Sequence, residues 1–169
     1  LDTLTGRTTG VVTATVVETN ITTLLAAAAT KIKPGTTVNN LTFTVSTNTG
    51  GVANTVDAAD LISLSALTTG PIKATSSVAT GITGTVANLK TVYAANTALG
   101  GGGAITATSG FTGLEAEPIT IATTDTRINA DDLIYLTGKN GANLVTHAAT
   151  HLTGLQADIA AVYAVSYTH

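Results

Sequence analysis

The sequence contains no cysteine, methionine or tryptophan, and few of its 169 residues are aromatic (4%) or charged (10%). Without cysteine the chain forms no disulfides, which by itself leaves its compartment open. Its seven basic residues are scattered singly and cannot form a phosphate-binding patch, so a nucleic-acid partner is disfavoured. Apolar runs such as residues 24–29 are too short to cross a membrane.

The chain is instead rich in threonine, alanine and glycine, with 37, 27 and 17 residues respectively. A hydrophobic content of 44% with a net charge of −3 is the reverse of the disordered pattern, so we expect a packed core. A surface solvated by hydroxyls and amides is typical of proteins that lie outside cells and associate with copies of themselves. We therefore predict an extracellular or cell-surface location. The chain does not begin with methionine, which favours a processed product or an excised fragment.

Parts of the sequence recur after about 70 residues. The matched segments are 59–64 with 131–136, 82–89 with 152–159, and 92–94 with 162–164. A third copy is partly visible at 1–10 and 21–23. We therefore predict one repeat array over residues 1–169, made of a partial repeat (1–57), a repeat (58–129) and a partial repeat (130–169).

Each long repeat reads as two shorter units, in which a β-rich run precedes a short helix. Strands are indicated by alternating Val, Ile and Thr, as at Ile119 and Ile121, and helices by the spacing of Ala and Leu. Asp57, Thr85 and Asn129 stand where helix N-caps are expected. Short strands separated by helices pair in parallel, so we predict an α/β class fold, a solenoid-like parallel strand–helix array. A β-sandwich with short helices is the alternative.

The repeat also predicts a core. Apolar positions that recur at helical spacing are expected to be buried. They are Leu61, Leu64, Leu89, Val92, Leu133, Leu136, Ile159 and Val162. Tyr93 and Tyr163 occupy matching positions, and both are expected to anchor a helix to the core.

The repeated segments 59–70 and 82–94 resemble the Thr/Ala-rich repeats of very large surface proteins of cyanobacteria and other aquatic bacteria. Those proteins often also carry haemolysin-type calcium repeats. The resemblance implies a cell-surface, matrix, adhesin or fibre role without catalysis. This chain lacks the glycine- and aspartate-rich nonapeptide, so the calcium sites of that family cannot be assigned to any residue here.

Few residues suggest chemistry. His147 and His151 are four apart, as in a zinc pair, but no third ligand is evident and a packing or surface role is favoured. Asp60, Asp131 and Asp132 could bind calcium, but each precedes an apolar helix, where a carboxylate favours the helix dipole. We therefore predict no cofactor, and calcium stays an alternative without a supporting motif.

The remaining candidates favour structural roles. The glycine run at 100–103 lacks the lysine of a phosphate loop and is interpreted as a connection. The glycosylation triplets at Asn20 and Asn40 are expected by chance in a chain rich in Thr and Asn. The sequence thus predicts no catalytic, cofactor-binding or metal-binding residue.

Together these features predict a non-enzymatic structural protein that assembles with copies of itself into a filament, sheath or surface layer. An open-ended array presents strand edges to the next copy, and a head-to-tail contact of that kind generates fibres. The alternative is an adhesin or surface-binding module that holds a glycan or another surface through a Thr-rich face. Regular threonine ladders on one flat face would favour that alternative.

Overall fold

The structure, a computed structural model, describes residues 10–31, 39–45, 55–74, 81–96, 110–114, 117–139 and 145–164. These ranges hold five helices and ten short strands. The helices are α1 (Ile21–Lys31), α2 (Ala58–Ser65), α3 (Val86–Ala95), α4 (Ala130–Lys139) and α5 (Gln156–Ala164). The strands are β1 (Thr13–Thr15), β2 (Asn40–Val45), β3 (Val56–Asp57), β4 (Ile72–Ala74), β5 (Ile82–Gly84), β6 (Phe111–Thr112), β7 (Ile119–Ile121), β8 (Arg127–Asn129), β9 (Val145–Thr146) and β10 (His151–Thr153).

The strands form three parallel sheets, which makes the fold mixed α/β. Sheet 1 has the order β1-β2-β4-β6, sheet 2 has the order β3-β5-β7-β9, and sheet 3 pairs β8 with β10. Every ladder between the described strands is parallel. Consecutive helices pack against each other, from α1 on α2 through to α4 on α5. The predicted α/β class with parallel strands is therefore confirmed.

The structure has more strands between consecutive helices than the one strand for each helix that the sequence predicts. Among the described residues, two strands lie between α1 and α2, between α2 and α3, and between α4 and α5, whereas three lie between α3 and α4. The third strand in that interval is β8, which directly precedes α4 and pairs with β10 instead of extending sheet 2. Sequence alternation identified the run at 119–121 but not this additional strand.

The helix N-termini form as the sequence predicts. The Asp57 carboxylate accepts a hydrogen bond from the Ala59 amide (2.8 Å), and the Thr85 hydroxyl accepts one from the Asn88 amide (3.3 Å). The Asn129 side-chain oxygen accepts one from the amide of Asp131 (3.2 Å). Each cap satisfies an amide that lacks a partner within its own helix, so these caps set where α2, α3 and α4 begin.

The core lies between the sheets and the helix layer, and it contains most of the predicted positions. Leu61, Leu64, Leu89, Val92, Leu133 and Leu136 are fully buried, and Val162 is 2% exposed. The prediction is wrong for Ile159, which is only half-buried. Tyr93 is buried as predicted, but Tyr163 is 70% exposed and does not anchor α5 to the core.

Two glycines allow neighbouring strands to approach closely. Gly81 has φ +112°, and a Cβ there would overlap the carbonyl oxygen of Pro118, which accepts a hydrogen bond from Ile82 N–H (2.8 Å). Gly113 has φ +85°, and a Cβ there would overlap the carbonyl oxygen of Ala74. Glycine is favoured at both positions because it tolerates positive φ and adds no side chain between the strands.

Candidate functional site

The two histidines of the predicted zinc spacing have different surroundings. His147 lies after β9, is buried, and accepts a hydrogen bond at Nδ1 from the Ala149 amide (3.3 Å). His151 lies in β10, is exposed, and places Nδ1 2.9 Å from the Thr150 hydroxyl. Within the described ranges, no group of three or more His, Asp or Glu side chains could hold a metal ion. The surroundings fit a packing role for His147 and a surface position for His151.

The aspartates that precede the apolar helices lie in first turns. Asp60 lies in the first turn of α2, and Asp131 and Asp132 lie in that of α4. Burial, together with the nearby Asp57 carboxylate, raises the pKa of Asp60. Asp132 Oδ1 instead lies 2.5 Å from Lys90 Nζ on the neighbouring helix α3. Asp132 thus links α4 to α3, and its negative charge also interacts favourably with the dipole of α4.

Charged side chains meet in an open groove of about 510 Å³ beside the start of α3. It is lined by Thr85, Val86, Ala87, Lys90, Thr91, Asp125, Arg127 and Asp132. Asp125 Oδ2 accepts a hydrogen bond from the Val86 amide (2.6 Å), and Lys90 is paired with Asp132. The two cations and two carboxylates balance, and both carboxylates already bind groups of the protein. The charged side chains of the groove therefore link α3 to α4, and neither carboxylate is free to bind a ligand.

An aromatic side chain lies next to this groove. The Tyr135 ring has Lys90 Nζ 5.8 Å and Lys139 Nζ 5.6 Å from its centroid, within cation–π range. Burial raises the pKa of Tyr135, and the positive charge of Lys90 opposes that shift. These contacts add a further link between α3 and α4.

Buried polar side chains that sequence reasoning missed connect successive strands and helices. Tyr93 donates a hydrogen bond from its hydroxyl to Glu117 Oε1, and both residues are buried. Burial, reinforced by the Glu117 charge and hydrogen bond, raises the pKa of Tyr93. Asn96 Nδ2 donates to the carbonyl oxygen of Leu114 (2.5 Å). A carboxylate before Pro118 carries no sequence signal that separates it from a surface residue, so Glu117 could not be identified in advance.

A second set of buried polar side chains acts within sheet 1. Asn39 Oδ1 accepts from the Val12 amide (3.0 Å), and Thr68 Oγ1 accepts from the Leu41 amide (2.8 Å). Each side chain therefore bonds the backbone of a chain segment 27 residues earlier. These bonds replace water for amides at the ends of the strands and hold adjacent segments in register.

Outward-facing threonines align across sheet 2. Thr83 pairs with Thr120, and Thr120 pairs with Thr146, so three hydroxyl-bearing side chains stand in one row. Adjacent strands lie about 4.7–4.9 Å apart, which sets the spacing of the row. Asp57 continues the row on β3. In sheet 1 the corresponding row alternates Thr44, Lys73 and Thr112 and is not a continuous threonine ladder.

The largest exposed apolar side chains lie mainly in two segments, which we call the first segment (residues 10–31) and the last segment (residues 145–164). The first segment exposes Val11 (53%) and Val17 (90%), and the last exposes Leu155 (72%) and Tyr163 (70%). Between them, in the described chain, the only comparable exposure is Ile134 at 38%. The two segments also hold the helices α1 and α5 at the two ends of the helix order.

Some expected features lie outside the described residues. They are the glycine run at 100–103, the start of the partial third copy at 1–9 and the segment 165–169. Among the described helices, none is long and apolar enough to cross a membrane. No protein family model matches the chain, no curated protein is similar to it, and no solved structure matches it.

Proposed function

We propose that this chain is a non-enzymatic, extracellular structural protein that assembles with copies of itself into a filament, sheath or surface layer. The observation that carries the proposal is the concentration of exposed apolar side chains in the first and last segments, at Val11, Val17, Leu155 and Tyr163. Single exposed apolar residues are common on soluble proteins, whereas apolar side chains grouped on one surface mark a site of association.

The sequence repeat of about 70 residues supports this proposal. The 70-residue match places Gly84 and Gly154 at equivalent positions, just before α3 and α5. A Cβ at either glycine would contact the alanine that begins the preceding helix, Ala58 for Gly84 and Ala130 for Gly154. We propose that the parallel sheets and the packed helices form a solenoid-like array, in which each layer contacts only its neighbours. An array of this kind can be extended by a further layer from another copy.

The low charge of the chain determines how such an assembly is held together. Exposed ion pairs contribute about 0–1 kcal/mol each, and only 10% of the residues are charged. Apolar burial at about 25 cal/mol per Å² and backbone pairing at strand edges are therefore the main contributions. Contacts of this type are not weakened by salt, in contrast to exposed charge pairs.

The proposed location rests on composition and resemblance. A surface solvated by threonine and asparagine, together with the resemblance of 59–70 and 82–94 to Thr/Ala-rich repeats of large bacterial surface proteins, favours an extracellular role. The proposal includes no catalytic step and no cofactor.

The test is sedimentation velocity of the whole chain across a concentration series, with negative-stain electron microscopy, in 50 mM and in 1 M NaCl. We expect particles larger than the monomer that grow with concentration and persist in 1 M NaCl. A variant with Leu155→Asp and Tyr163→Asp is expected to sediment as a monomer, whereas the control Ile134→Asp is expected to assemble. A native chain that stays monomeric in both salts at high concentration overturns the proposal.

The threonine row of sheet 2 favours a second candidate function, an adhesin module that binds a glycan surface. Thr83, Thr120 and Thr146 present hydroxyl and methyl groups at a regular spacing to a flat ligand. The test is retention of the chain on insoluble cellulose, compared with a variant carrying Val at all three positions. Thr15→Val and Thr42→Val, paired in sheet 1, form the control. Equal retention of both variants and the native chain would exclude this function for the row.

A further inference from the structure

We infer that the outward side of sheet 1 is a binding surface for ice. This surface, which we call the sheet 1 face, lies on β1, its flanks and the start of β2 and consists of Val11, Thr13, Thr15, Val17, Asn40 and Thr42. The inference is independent of the proposed self-assembly, whose test changes Leu155 and Tyr163, and of the glycan-binding function of the threonine row in sheet 2.

Side-chain alternation places these residues on one side of the sheet. Along β1 and its flanks, positions 11, 13, 15 and 17 are exposed, whereas Val12 is buried and positions 14 and 16 are partly buried. Along β2, Leu41 and Phe43 are fully buried, so Asn40 and Thr42 face outward. A further strand paired beside β1 would extend this face and not cover it, because strands pair through their backbone edges and not through their side chains.

The parallel register arranges the outward side chains in a regular grid. Thr13 pairs with Asn40, and Thr15 pairs with Thr42. Adjacent strands lie about 4.7–4.9 Å apart and alternate residues of one strand about 6.6 Å apart, so hydroxyl and methyl groups repeat in two directions. Water oxygens at the surface of hexagonal ice also repeat in two directions, at distances of similar size. A flat grid of this kind can contact many lattice sites at once.

The chemistry of the sheet 1 face suits a neutral, solid ligand. None of its six side chains is charged, so little tightly held water has to be removed on contact. Five of the six are valine or threonine, whose branched Cβ restricts rotation about χ1. Their methyl and hydroxyl groups are therefore held in place before binding, which lowers the entropy lost when the face meets a rigid lattice.

The two valines favour ice over a polysaccharide as the ligand. Val17 is 90% exposed and Val11 is 53% exposed, and neither side chain can form a hydrogen bond with a sugar hydroxyl. Ice consists of water alone, and water next to exposed methyl groups is already restricted in its orientation. A soluble small molecule is disfavoured because such ligands bind in concave sites, whereas this surface is the side of a sheet.

A lysine limits the sheet 1 face at the next strand. Lys73 on β4 is exposed and pairs with Thr44 on one side and Thr112 on the other. Its ammonium group is strongly hydrated and would lose that water against ice, at a cost in free energy. Lys73→Thr is therefore expected to extend the uncharged grid across the remaining strands of sheet 1.

The experiment measures thermal hysteresis, the gap between the melting and freezing temperatures of a single ice crystal, in solutions of the whole chain. The native chain is compared with Thr15→Lys, within the grid, and with Val17→Lys, at a side chain too exposed to affect packing. Thr120→Lys is the matched control, because Thr120 is an exposed threonine on the outward side of sheet 2. Circular dichroism melts check that each variant is folded.

We expect hysteresis that rises with the concentration of the native chain, is lost in Thr15→Lys and Val17→Lys, persists in Thr120→Lys and increases in Lys73→Thr. Absence of hysteresis in the native chain, or an equal loss in Thr120→Lys, overturns the inference. Retention on insoluble cellulose that Thr15→Lys abolishes, without hysteresis, assigns the face to a polysaccharide and also overturns it. Self-association is measured separately by sedimentation, so its outcome does not depend on these results.

Discussion

Helices α3 and α5 carry matching sequences 70 residues apart, yet one is central in the packed helix series and the other is mostly exposed. Val86, Leu89, Val92, Tyr93 and Ala95 are buried in α3, whereas Val162 is the buried residue of α5. The difference follows from neighbours, because α3 packs against helices on two sides and α5 packs against α4. Matching sequence produces the same secondary structure, but burial depends on whether another layer covers it.

The N-termini of α3 and α5 also differ, in the side chains that stand where each helix begins. Helix α3 has the Thr85 hydroxyl on the Asn88 amide and the Asp125 carboxylate on the Val86 amide. At the matching position α5 has Leu155, whose carbonyl oxygen accepts from the Asp158 and Ile159 amides and whose side chain is 72% exposed. An apolar residue therefore stands at the start of α5 where α3 has a capping hydroxyl.

The largest difference between the two helices should come from the matching residues Leu89 and Ile159. Leu89→Ala is expected to cost about 2–5 kcal/mol of unfolding free energy, because it leaves a cavity at a fully buried site. Ile159→Ala is expected to cost about 1 kcal/mol, because Ile159 is only partly buried against the core. Urea denaturation of dilute samples measures both, and equal costs would show that the two helices are covered alike.

The tyrosine pair should give the next largest difference. Tyr93→Phe is expected to cost about 1.5–3 kcal/mol, because it removes a buried hydrogen bond to a carboxylate. Tyr163→Phe, the matched control, should change stability by less than about 0.5 kcal/mol, as at other exposed sites. Comparable losses for the two substitutions would contradict the exposed position of Tyr163.

The same pair predicts a pH dependence. Because folding raises the pKa of Tyr93, the folded chain holds the phenol proton more tightly than the unfolded chain. The stability that Tyr93 contributes is therefore complete below its ordinary pKa of 10.0 and declines as the pH rises above that value. The gap between native and Tyr93→Phe chains should narrow from pH 9 to pH 11 in thermal melts, and a widening gap would reverse the assigned direction.

The features that sequence predicted well are those decided within a few residues. Asp57, Thr85 and Asn129 cap helices because a cap needs only the backbone amides that follow it. The leucines at 61 and 133 recur at helical spacing and are buried in helices that have neighbours.

The features that sequence missed depend on residues far away in the chain. Tyr163 shares the pattern of Tyr93 but not its covering layer, and Glu117 becomes significant only because α3 brings Tyr93 beside it. Strand β8 was missed because Arg127, Ile128 and Asn129 include one apolar residue and so lack the alternation that identified the equally short β7. The position of each helix could therefore be predicted from its own residues, whereas the contacts between helices could not.

The ion pair between α3 and α4 should have a smaller effect. Lys90 is 44% exposed and Asp132 is 25% exposed, so water screens their attraction. A double-mutant cycle with Lys90→Gln and Asp132→Asn is expected to give a coupling energy of about 0.2–1 kcal/mol, reduced in 1 M NaCl. A coupling that does not respond to salt would indicate that the two side chains act through packing. Helix α5 has Ala160 at the position of Lys90, so it provides no corresponding pair.

The smallest expected effect compares Asp60 with its repeat match, Asp132. Folding raises the pKa of Asp60, because burial and then the Asp57 charge disfavour its ionised form. The contribution of Asp60 to stability is thus most favourable below its ordinary pKa of 3.8 and is lost as the pH rises through the raised value. Asp60→Asn should therefore stabilise the chain at pH 7 by less than about 1 kcal/mol, with the gain disappearing near pH 3. Asp132→Asn should instead destabilise the chain at pH 7, since it removes the partner of Lys90. Thermal melts of both variants at the two pH values make the comparison. Destabilisation by Asp60→Asn at pH 7 would mean that the favourable interaction of its charge with the α2 dipole outweighs the cost of burial.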